Sequence, residues 1–162
     1  MQARDSYRTI CASDPKDIED CLGLVGTQDR VACIHIRQGK LDEAISEYQK
    51  GSALSEPLSV GNAPNLEALY AVVNVYYGLG EVYAAVAVKA STRQQQTQYW
   101  KQALGWYEKS RIAFRRIPEW RPITPDEFDS RSLKQIEAQM SLCQSAIRRV
   151  AASQQTAAAF QY

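Results

Sequence analysis

Apolar residues recur along this chain at steps of three and four, the spacing that lines one face of an α-helix. From Leu66 to Ser91 the stripe is Leu69, Val73, Tyr76, Gly80, Tyr83, Ala87 and Ala90. From Thr97 to Ile117 it is Trp100, Ala103/Leu104, Tyr107, Arg111/Phe114 and Ile117. From Leu133 to Val150 it is Leu133, Ile136, Met140, Cys143, Ile147 and Val150. Two shorter stretches obey the same rule: Arg30 to Gln38 with Val31, Ile34 and His35, and Lys40 to Leu54 with Leu41, Ala44, Ile45, Tyr48 and Leu54. No stretch alternates with a period of two, so the expected class is all-α, without a sheet.

Punctuation divides the chain in the same way. Asp14 followed by Pro15 reads as a helix start, with a side-chain cap and then a residue that needs no amide partner. Thr124-Pro125-Asp126-Glu127 is a second start, because Glu127 can reach back to the Thr124 amide. The run from Ser59 to Pro64 breaks the chain before the Leu66 helix, and Ile117-Pro118 closes the helix that begins near Thr97. About six or seven helices joined by short loops are expected.

Composition narrows the picture. At 162 residues, 45% of them apolar, the chain can bury a real core. Lys plus Arg number 19 and Asp plus Glu 18, a net charge of +1 that gives no global pull toward nucleic acid or an anionic membrane. No apolar run is expected to approach the roughly 18 residues of a membrane span, and the first residues lack the apolar stretch of a signal peptide. A soluble, cytoplasmic protein is expected. The cysteines are Cys11, Cys21, Cys33 and Cys143, without the short gaps of metal or redox motifs. They are expected to be buried, reduced core thiols, with a disulfide or a metal site as the alternatives; reduced thiols agree with a reducing compartment.

The run Gln38-Gly39-Lys40-Leu41-Asp42-Glu43-Ala44-Ile45-Ser46-Glu47-Tyr48 resembles the turn and second helix of a tetratricopeptide repeat. Gly39 permits a left-handed turn, Ala44 allows close helix approach, and Tyr48 fills the gap one turn on. Pro57 then ends the unit. A second copy matches through Tyr76, Leu79, Gly80 and Tyr83 in its first helix, with Ala103 and Tyr107 in its second. The usual repeat is ~34 residues. The stretch from Gly80 to Ala103 is too long for that, so residues 88–97 are expected to prolong the first helix and form a polar loop. Leu79 to Ala85 and Trp100 to Ser110 are similar to the C-terminal repeat arrays of bacterial eukaryotic-like serine/threonine kinases. The resemblance implies a stacked solenoid of antiparallel helix pairs: residues 1–13 as the tail of a preceding helix, 14–58 as one repeat, 64–118 as the next, and 124–152 as a terminal helix. It also implies a piece of a longer protein.

Chemistry for catalysis is missing from the pattern. Gly23-Leu24-Val25-Gly26 lacks the lysine of a phosphate loop, and neither His-Arg-Asp nor Asp-Phe-Gly occurs. His35, the single histidine, sits at a core-facing repeat position, and Asp42/Glu43 and Asp126/Glu127 suit first helical turns. No catalytic residue, metal site or cofactor is expected; the expected function is binding a protein or peptide, as a regulatory or scaffolding array. The family positions that would face a concave groove are Asp29, Cys33 and Arg37 in one repeat, and Asn74, Tyr77 and Glu81 in the next. A second candidate, for an acidic or anionic partner, is the cluster Arg111, Arg115, Arg116 and Arg121.

Overall fold

The computed structural model describes residues 18–60, 65–118 and 132–159, with residues 154–159 described by backbone alone. Among the described residues there are five helices and no strand: α1 (Ile18–Arg37), α2 (Leu41–Leu58), α3 (Leu66–Lys89), α4 (Arg93–Phe114) and α5 (Leu133–Ala159). The Asp14 and Thr124 helix starts fall outside the described residues.

Helix α1 is one helix of 20 residues where the spacing predicts a short one from Arg30. It runs straight through Gly23 and Gly26, each costing about 1 kcal/mol against alanine in a helix interior. Burial of Cys21, Leu24, Val25 and Ala32 offsets that cost. The inward stripe is therefore not the predicted one, and Ile34 is 50% exposed. Gly39 ends the helix with φ of +75°, as the turn chemistry requires. The Gly39 amide donates to the Ile36 carbonyl and the Lys40 amide to the His35 carbonyl, both at 2.9 Å. So tight a turn sends α2 back along α1.

Helix α3 is started by Asn65, whose side chain accepts from the Ala68 amide at 3.0 Å. Helix α4 begins earlier than predicted, at Arg93, because Thr92 and Gln95 close a capping box. The inserted residues thus lengthen both helices, and the polar loop shrinks to residues 90–92. Ser132 and Gln135 repeat the device at the start of α5, with the Gln135 amide donating to Ser132 Oγ at 3.2 Å. Pro57 lies inside the last turn of α2, which ends one residue later.

Each helix packs against the next in sequence, and α1 also touches α3. Two hydrophobic clusters result, one around Val25, Ala44, Tyr48 and Leu79, the other around Leu69, Tyr107, Ile136 and Cys143. Helix α3 contributes to both, which explains its composition: by length and apolarity it could cross a membrane, yet here it is the shared core helix.

Close approach is set by small residues facing tyrosines. Ala44 and Ala103 are fully buried, and so are Tyr48 and Tyr107. The Tyr107 ring lies on Gly80, and the Tyr48 ring lies on Gly78 of α3. Ser110 Oγ adds a buried hydrogen bond from α4 to the Val73 carbonyl of α3 at 2.9 Å. On α5, Ile136, Cys143 and Ala146 point inward, while most of the opposite face is polar.

The cysteines correct one expectation. Cys33 and Cys143 keep their thiols, but Cys21 is disulfide-bonded. Thiol chemistry therefore gives no support to a reducing compartment.

Candidate functional site

Because α1 and α3 lie side by side on one face, a trough runs between them. Leu22, Gly23, Val25, Gly26 and Asp29 line it from α1, and Tyr70, Ala71, Asn74 and Val75 from α3. Glu19 and Glu67 stand at its end, each in the first turn of its helix, and the trough encloses about 300 Å³. Its shape follows from residue size. Gly23, Gly26 and Ala71 contribute almost no side chain, so the larger Leu22 and Tyr70 leave a furrow between the helices.

Sequence reasoning places Asp29 and Asn74 in a groove, and both line this one. Glu81 continues the same α3 face two turns beyond Asn74, and it is half-buried. Arg37, at the far end of α1, is exposed and outside the trough lining. Tyr77 corrects the expectation of an exposed aromatic: it is 5% exposed and meets Tyr107 edge to face, with ring centroids 5.2 Å apart. Its position on α3 turns toward α4, which takes it into the core instead.

Below the trough, the Tyr48 hydroxyl and the Cys33 thiol are 3.5 Å apart. Burial holds the Tyr48 hydroxyl well above the ordinary tyrosine range, and the carboxylate of Asp29, the Cys33 thiol and Glu81 push it the same way. Tyr48 therefore stays a neutral, structural phenol. Residues that sequence reasoning missed are Gly23 and Gly26. Their signal was present as two small residues three apart, but glycine reads first as loop punctuation.

A second depression lies on the opposite side, where the ends of α2 and α4 flank α3. It holds Val60, Val72, Tyr76, Lys109, Ile112 and Arg116 among its lining, and encloses about 310 Å³. Lys109 Nζ stands 4.0 Å from the Trp106 ring centroid and 5.8 Å from that of Tyr76, a cation held over two aromatic faces. Tyr76 in turn donates to Glu56 at 2.8 Å.

Three arginines of the cluster fall among the described residues. Arg111 is ion-paired with Glu108, and Arg116 donates to the Ser59 carbonyl across to α2. Arg115 is exposed, and Arg121 lies outside the described residues. Two of the cations thus already serve the fold. Among the described residues no group of three His, Cys, Asp or Glu side chains is placed to hold a metal, and His35 is half-buried at the end of α1. No protein-family model, curated protein or solved structure matches the chain.

Proposed function

We propose that this chain is a non-catalytic protein-interaction module, built of tetratricopeptide-type helix pairs that hold a partner's peptide segment in the trough between α1 and α3. One observation carries the reading: alternate helices share a face, and the furrow between them has an apolar floor with polar groups at its edges. Stacked helix pairs use such a face for binding. Apolar anchors in a furrow of this kind supply most of the affinity, and edge groups supply orientation.

Three features support the repeat assignment. A small residue and a tyrosine recur at matching positions of α2 and α4, as Ala44/Tyr48 and Ala103/Tyr107, and all four are buried. Tyr107 closes on Gly80 of its own helix pair, and Tyr48 on Gly78 of the next. Helix α5 turns one apolar stripe inward and leaves a mostly polar opposite face, apart from the exposed Leu142, which suits a terminal helix. The likeness of Leu79–Ala85 and Trp100–Ser110 to kinase-linked arrays favours a regulatory or recruiting role beside a signalling enzyme; a free-standing scaffold is the alternative.

A random-peptide display selection tests the reading. Gly26 is the place to block the trough: it lines the furrow and a Cβ there meets nothing within 4 Å, so Gly26→Leu is expected to fold and to intrude on the furrow. Peptides enriched on the wild type and lost on Gly26→Leu are expected. Enriched peptides that bind both proteins equally would place recognition elsewhere.

A further inference from the structure

The charged side chains that line the trough are acidic. Glu19 and Glu67, both exposed, stand at one end, and Asp29 lies along the lining. Beyond the lining, α3 carries Glu81 and α1 carries Arg37, one charge of each sign. Among the described residues, no Lys, Arg or His lines the trough. This local bias is independent of the chain's near-neutral total of +1. It is reinforced by its setting, since an apolar floor lowers the local dielectric and strengthens attraction to a cation.

The opposite surface differs, for there Lys109 and Arg116 accompany Glu56.

Resting on the interaction reading above, we infer that the α1–α3 trough takes a basic segment of a partner protein, one whose apolar side chains are flanked by lysine or arginine. The apolar side chains occupy the furrow over Leu22, Val25, Tyr70 and Val75. The flanking cations meet Glu19 and Glu67 at the end. An acidic segment would set its carboxylates against these groups and be rejected, so the rim selects by repulsion as well as attraction.

Three short fluorescent peptides test this by anisotropy against the full chain: leucine alternating with lysine, with glutamate, or with serine. The lysine peptide is expected to bind, the glutamate peptide to fail, and lysine-peptide affinity to fall as salt rises. Replacing both end acids, Glu19→Gln with Glu67→Gln, should weaken it roughly tenfold, the worth of two exposed charge pairs. Gly26→Leu should abolish binding, whereas Gly105→Leu on α4, equally open to an added side chain, should leave it unchanged.

Binding of the serine or glutamate peptide as tight as that of the lysine peptide, and blocked by Gly26→Leu, would overturn the charge inference and leave the interaction reading standing. Lysine-peptide binding that survives Gly26→Leu would overturn it as surface adsorption. Binding by none of the three would overturn the inference and remove the trough from the interaction reading.

Discussion

The ring of Tyr107 occupies the space where a side chain on Gly80 would begin: a Cβ built on that glycine stands 2.6 Å from the tyrosine's Cε1. Tyr107 is 1% exposed and pressed between α3 and α4, so the ring cannot swing away cheaply. Gly80→Ala should therefore cost about 1–3 kcal/mol through overpacking. Gly78→Ala, under the Tyr48 ring, should behave alike. Gly26→Ala and Gly105→Ala have open space around them and should instead gain about 0.5–1 kcal/mol. Urea denaturation of the four variants checks the contrast; equal effects at all four would mean the ring contacts are not there.

Ala44 and Ala103 make the same point from the other helix of each pair. Both are 0% exposed. Replacing either with leucine should force the packed helices apart at about 1–3 kcal/mol. Wild-type thermal stability in both variants would show that the small positions have been assigned in the wrong register.

Ser110 links the long helices through a hydrogen bond to the Val73 carbonyl, at 0% exposure. Ser110→Ala removes a donor from a carbonyl that also serves the α3 ladder, so about 1 kcal/mol should be lost. Calorimetric melting of the variant measures it.

Much of this packing is legible in the sequence, and the reason is local. Gly39, Ala44, Tyr48, Ala103 and Tyr107 carry constraints that arise within one turn or one helix pair: a left-handed φ, a close approach, a gap to fill. Tyr77 and Ile34 were misread because helical spacing defines a face but not its direction. Helix α3 has neighbours on several sides, which buries half of its positions and makes its stripe uninformative. The start of α4 was set by Thr92 and Gln95, a polar pair inside a stretch that reads as loop. Cysteine spacing leaves a disulfide open as an alternative without selecting one, since pairing joins residues that spacing alone does not bring together. The trough itself is a product of two helices that are neighbours in space but separated by a third, and its glycines gain meaning only there.

Alkaline pH should weaken the fold, and the sign follows from burial. Desolvation pushes the Cys143 thiol up from 9.0 to about 11. Below pH 9.0 the thiol is protonated in both folded and unfolded chains and contributes its full stability. Between the two values only the unfolded chain releases the proton, so stability falls as pH rises. Tyr76 is raised too, chiefly by desolvation and then by Glu56, and it prolongs the decline at higher pH, as Tyr48 does. Urea midpoints from neutral to strongly alkaline pH should drop once pH passes 9.0, with Cys143→Ala showing a shallower first part. A midpoint that stays level through that range would mean that Cys143 is not buried.

The most direct test of the central claim is a nuclear magnetic resonance titration of the isotopically labelled chain with a display-selected peptide. The account predicts amide shifts at Gly23, Gly26, Ala71 and Asn74, the residues that line the trough from both helices. Shifts confined to Val60, Ile112 and Arg116, on the opposite depression, would contradict it.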